Sequence, residues 1–136
     1  MILVVDSDEV FGECIVSSLQ KNGFLGQLSK NAIEAIDMVD ENVPSLVFLE
    51  PILTGPDGFT FLNEMASYAD TMDVPVVIVS EKDFSPFDLS SYGVVGVLNK
   101  NTMKPEDVLN YARKAVDARK VSNTGKGVTD ARKYAK

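Results

Sequence analysis

Short, unbroken apolar runs alternate along the chain with longer segments in which apolar residues recur every three or four positions. "ILVV" (Ile2 to Val5), "SLVFL" (Ser45 to Leu49), "PVVIV" (Pro75 to Val79) and "VVGVL" (Val94 to Leu98) are runs of the first kind, and "FLGQLS" (Phe24 to Ser29) is a fainter one. Runs without polar alternation suit strands covered on both faces. Val10, Phe11, Cys14, Ile15, Ser18 and Leu19 predict one face of a first helix ending near Gly23. Ala32, Ile33, Ala35, Ile36 and Val39 predict a second, and Phe59, Leu62, Met65 and Ala66 a third. A fifth is predicted around Val108, Leu109, Ala112, Ala115 and Val116, with Pro105 in its first turn. Ser85 followed by Pro86 predicts a fourth, short helix before Gly93.

Strand and helix in regular alternation predict an α/β domain: a doubly wound, five-stranded parallel sheet with helices on both faces and right-handed crossovers. The functional crevice of such a sheet lies at the carboxyl ends of its strands. The chain has 136 residues, enough for one domain with one core. The pattern places that domain in residues 1–118 and a polar basic tail or linker in 119–136, where periodicity fades and Arg119, Lys120, Lys126, Arg132, Lys133 and Lys136 outnumber acids.

A net charge of −7 argues against a nucleic-acid footprint on this domain and for a protein partner. The chain has no His and a single Cys, Cys14, which removes a His-based triad, a zinc site and an internal disulfide. Cys14 is expected as a small hydrophobe on the buried face of the first helix. No run reaches the roughly 20 apolar residues of a membrane span, and no signal-peptide pattern precedes the first strand. A cytoplasmic protein without membrane contact is expected.

The strand ends carry the candidate chemistry. After the first run comes "DSDE" (Asp6 to Glu9), after the third Glu50, after the fourth Ser80 and after the last Lys100. Carboxylates can hold a divalent cation, one carboxylate can accept a phosphoryl group, and a hydroxyl and an ammonium can bind the phosphoryl oxygens.

In order and spacing, "ILVVDSDE", "LVFLEPILTGPDGF", "PVVIVS" and "GVVGVLNK" resemble the CheY-like receiver domain of two-component response regulators. The resemblance spans residues 2 to about 118. It implies phosphorelay signalling by protein contact and no enzyme activity. Asp6 matches the first acid of the family's acidic pair; the second, a direct metal ligand, is Ser7 here, and Asp8 follows one place later. Glu50 stands where the family has its phosphoaccepting Asp, Ser80 at the switch hydroxyl, and Lys100 at the family's lysine. Val97 takes the place of the Tyr or Phe that turns inward on activation. Asn101 replaces a proline after the lysine, and Thr54 sits where a proline is common.

These departures imply a pseudo-receiver. Asp6 and Glu50 would bind Mg²⁺ weakly or not at all, and Glu50 would imitate a phosphorylated Asp by engaging Lys100 and Ser80. The longer Glu side chain moves its carboxylate by about 1.3–1.5 Å, out of the attack position. The implied partner is an effector domain, a kinase or another signalling protein, met through the face of the fourth helix, fifth strand and fifth helix, or a second copy in a homodimer. Phe84, Phe87 and Tyr92 either cover the sheet or belong to that face. Tyr111, Arg113, Lys114, Arg119 and Lys120 give the fifth helix a basic strip. Two alternatives stand beside this reading: a conventional phosphoacceptor with weak residual activity on Glu50, and a flavodoxin-like ligand-binding protein. The first loop lacks the glycine-rich phosphate cradle the latter would use.

Overall fold

The computed structural model describes residues 1–128, with side chains through Ala118. Among the described residues five strands form one parallel sheet in the order β2-β1-β3-β4-β5, with β1 at Ile2–Val5, β2 at Gly26–Ser29, β3 at Leu46–Leu49, β4 at Val76–Ser80 and β5 at Val94–Asn99. The doubly wound α/β fold expected from the sequence is present. β1, β3 and β4 are buried along their whole length, which is why their sequences show no polar alternation.

The pleat divides the core in two. Leu3, Val5, Val47, Leu49, Val76 and Ile78 face helices α2 (Ala32–Glu41) and α3 (Gly58–Ala66). Ile2, Val4, Leu46, Phe48, Val77 and Val79 face α1 (Glu9–Lys21) and the first turns of α4 (Pro105–Val128). α1, α2 and α3 each begin on a short polar cap: Asp8, Asn31 and Asp57 accept from backbone N–H groups of the first turn.

Two expectations need correction. The predicted fourth helix does not form. Its segment is a chain of turns ending in a 3-10 turn at Ser90–Tyr92. Asp83 accepts from both N–H and Oγ of Ser85, and Asp88 does the same for Ser90. These local bonds offer the backbone an alternative to helix in a stretch too short to gain by helical packing. Phe84 pins the segment down: it is 5% exposed and packs between Phe59 and Phe87, at centroid distances of 6.3 and 6.0 Å.

Cys14 is exposed, as is Val10, because α1 turns Gly12, Ile15, Val16 and Leu19 inward. The face is rotated relative to the sequence pattern since Gly12 packs against Leu28, so closely that an added Cβ would lie 2.5 Å from its Cδ1. Ile33 on α2 and Ala66 on α3 also face outward. The helix predicted last, α4, continues without a break past residue 118 to Val128. The remainder of the expected tail, 129–136, lies outside the described residues.

Candidate functional site

β1 and β3 are neighbours, paired in register from Ile2↔Leu46 to Val5↔Leu49. The residue after each strand, Asp6 and Glu50, therefore emerges on the same rim. Glu50 N–H donates to the Val5 carbonyl at 2.9 Å, extending the ladder by one bond into the site. β5 lies two strands away, and its last bond, Lys100 N–H to the Ser80 carbonyl at 2.9 Å, sets the base of a long side chain that reaches back across β4.

The Lys100 ammonium meets both acids. Nζ lies 2.8 Å from Asp6 Oδ2 and 3.3 Å from Glu50 Oε1, and all three side chains are less than a tenth exposed. Each carboxylate gives its second oxygen to the backbone: Asp6 Oδ1 accepts from Asp8 N–H at 2.9 Å, and Glu50 Oε2 from Ile52 N–H at 3.1 Å. The ring of Phe11 completes the cage, its centroid 4.5 Å from Nζ, where its electron-rich face favours a cation.

Burial acts first on these groups. It raises Asp6 above the usual carboxylate range, because desolvation outweighs the hydrogen bonds and charge of Lys100 that would lower it. Burial alone would lower Lys100, but the hydrogen bond and charge of Asp6, joined by Glu50, carry it above the ordinary lysine value. One ammonium between two carboxylates is thus held protonated in a half-dry pocket.

Ser7 and Asp8 do not share the pocket. Asp8 is exposed, and its carboxylate caps α1 by accepting from Phe11 N–H at 3.1 Å. It is one place too far along the chain to face Lys100. Ser7 Oγ donates to the Lys30 carbonyl at 2.7 Å and accepts from Thr54 N–H at 3.0 Å. Ser80 is 1% exposed, and its hydroxyl accepts from Lys82 N–H at 3.2 Å. Among the described residues its hydroxyl makes no hydrogen bond to Glu50 or Lys100, contrary to the expectation of a Glu50–Ser80 contact. Val97 lies on β5, half-buried against the α2–α3 side of the core.

The donor set can be tested against Mg²⁺, which asks for near-octahedral oxygen ligands at about 2.0–2.1 Å. Among the described residues no group of three or more acidic, His or Cys side chains is placed to hold a metal. Asp6 and Glu50 already share an ammonium, and the hydroxyl at the place of a second acid has both its bonds made. In this arrangement the cation that faces Asp6 and Glu50 is the Lys100 ammonium.

Sequence reasoning gathered Asp6, Glu50 and Lys100 but missed Phe11, which it assigned to the core. A signal was available: Phe11 lies three residues after the cap Asp8, in the first turn of the helix that rises beside Asp6. The basic strip on α4 is solvated, with Arg113 paired to Glu106 at 2.8 Å and Lys114 over the Tyr111 ring. The side chains of Arg119 and Lys120 lie outside the described residues.

Residues 2–113 match the family model described as the response regulator receiver domain. Response regulator MprA of Mycobacterium sp. (strain KMS) is 32% identical over 82 residues, 60% of this chain and 35% of that protein. The match thus takes in about a third of the length of such curated relatives. The receiver domain of NtrX from Brucella abortus superposes with a TM-score of 0.75 at 25% identity, over 86% of this chain and 98% of that one. Vibrio cholerae chemotaxis protein CheY4 shares the fold, with a TM-score of 0.75 at 16% identity over 84% of this chain and 96% of its own.

Proposed function

The chain belongs to the response regulator receiver family, and on that premise we propose that it is a pseudo-receiver, a two-component signalling domain that regulates by protein contact without being phosphorylated. One observation carries the reading: the Lys100 ammonium lies between Asp6 and Glu50, at 2.8 and 3.3 Å. An acceptor carboxylate needs a free lone pair and a counter-charge for the incoming phosphoryl group, which brings roughly −1.5 to −2 of charge. Each Glu50 oxygen holds one partner and keeps a lone pair, so the counter-charge decides: the nearby cation is already shared by two anions. The same ion pair supplies the fixed polar bridge to Lys100 that a phosphorylated Asp would make only transiently.

Mg²⁺ has no part in this reading, because Lys100 supplies the positive charge itself. Output runs through protein partners: an effector domain, another signalling protein or a second copy of the chain. The surface offered is β5, α4 and the turns 81–93, with Val97 in place of a moving aromatic. The domain turns over no substrate and works in the cytoplasm. Among the described residues no helix is long and apolar enough to cross a membrane.

The test is a pair of amide NMR spectra without and with Mg²⁺ plus beryllofluoride, for wild type and for Glu50→Asp. A still wild type beside an aspartate variant that shifts out to β5 and α4 supports the pseudo-receiver and traces its loss of phosphorylation to Glu50. Two still spectra support a fixed binding module. A responding wild type overturns the proposal and makes the chain a working phosphoacceptor.

A further inference from the structure

The replacement of an acid by Ser7 does more than subtract a ligand. Its hydroxyl donates to the Lys30 carbonyl, after β2, and accepts from Thr54 N–H, in the loop between β3 and α3. Ser7 itself follows β1. One hydroxyl therefore joins the rim loops of three adjacent strands.

The Thr54 loop is the one that begins with Glu50. It is fastened at its start by Glu50 N–H to the Val5 carbonyl and at its end by Gly58 N–H to the Pro51 carbonyl at 2.7 Å. The segment between them carries Ile52, whose N–H holds Glu50 Oε2, and Gly55 in the left-handed region at φ 83°. The Ser7 bond to Thr54 N–H ties the middle of this segment, two residues beyond Ile52, to the β1 loop.

Only a group that donates and accepts at once can make this junction. A carboxylate accepts only, so an Asp at position 7 would keep Thr54 but set its charge against the Lys30 carbonyl oxygen. We propose that Ser7 is a positioning residue whose hydroxyl links the three rim loops and thereby keeps Glu50 facing Lys100. The inference rests on reading the Glu50–Lys100 pair as the working state of the site.

Amide hydrogen exchange by NMR on the whole chain, with no ligand added, tests it. In Ser7→Ala the Thr54 amide exchanges roughly tenfold faster, and Ile52 follows, while core amides such as Ile78 keep their rates. The NMR titration midpoint of Lys100 Nζ falls toward the ordinary lysine value in the same variant. Ser7→Thr keeps the hydroxyl and restores both readouts. The proposal is overturned if Thr54 is unmoved in Ser7→Ala, or if Ser7→Thr behaves like Ser7→Ala. It is also overturned if Thr54 accelerates while Ile52 and the Lys100 midpoint stay put, for then the hydroxyl links loops without positioning Glu50. Should Ser7→Ala not fold, Ser7→Cys, a weaker donor and acceptor, takes its place with the same expectations. Because no phosphoryl analogue is present, a wild type that responds to beryllofluoride would overturn the pseudo-receiver reading without altering these rates.

Discussion

Two stretches of the carboxyl rim treat charge in opposite ways. Above β1 and β3, Asp6, Glu50 and Lys100 are buried and each is paired, with backbone N–H groups and an aromatic face taking up what the ion pairs leave. Between β4 and β5, from Glu81 to Ser90, the charged side chains stand in water, and Asp83 and Asp88 are spent on local turns. The first arrangement couples groups far apart in sequence. In the second, Asp83 and Asp88 bond only near neighbours, and Phe84 is the one buried side chain. Buried ionic networks are stiff because any departure strands a charge, whereas a chain of turns around one aromatic anchor can be remodelled at low cost. The contrast is between a fixed centre and an adaptable flank.

The sharpest test removes the shared cation. Lys100→Ala strands two buried carboxylates and is expected to cost about 3–5 kcal/mol in urea unfolding at neutral pH. Lys82→Ala, which takes an exposed ammonium off the Phe84 ring, is expected to cost no more than about 1 kcal/mol. Equal losses would erase the distinction between the two stretches.

Backbone packing offers a second comparison. At Gly58 an added Cβ would lie 2.6 Å from the Pro51 Cα, so Gly58→Ala must push α3 away from the Glu50 loop, at about 1–3 kcal/mol. At Gly96 on β5 the obstacle is the movable end of the Tyr111 side chain. Gly96→Ala should cost less, and thermal melts of the two variants decide the order.

The pH response sharpens the picture at the alkaline end. Folding raises Lys100, so the folded chain holds that proton more tightly than the unfolded one. The stability it brings is complete below the unfolded value of about 10.4 and is lost as pH climbs through the higher folded value. Denaturant titrations from about pH 9 to 11.5 should show wild type losing more stability than Lys100→Met. The smallest effect belongs to the turns: Asp83→Ala is expected to leave the thermal melt of wild type nearly unchanged.

The strands were legible because burial on both faces leaves continuous apolar runs, and the rim residues followed from knowing which end of a parallel sheet carries function. The segment from Ser85 to Tyr92 was misread for a local reason. Ser-Pro is a good helix start, but Ser85 and Ser90 each lie two residues after an Asp that binds them. Cys14 was misplaced because a period of 3.6 fixes a helical face only to within about one residue, and Gly12, with no side chain to show its face, defines the buried side. The ion-pair geometry was legible as a likelihood of contact, since a rim lysine near two acids gains by pairing. The bonds of Ser7 were not, because they depend on three loops meeting at one hydroxyl.

The Phe11 ring over Lys100 has a spectroscopic consequence. An aromatic face circulates a ring current that shields nuclei stacked above it, so the ε-methylene protons of Lys100 should resonate upfield of other lysines. The chain has no Trp to serve as a fluorescent probe. With Phe11 in place the site carries its own gauge: an event that moves the ammonium off the ring would be recorded in one pair of proton lines.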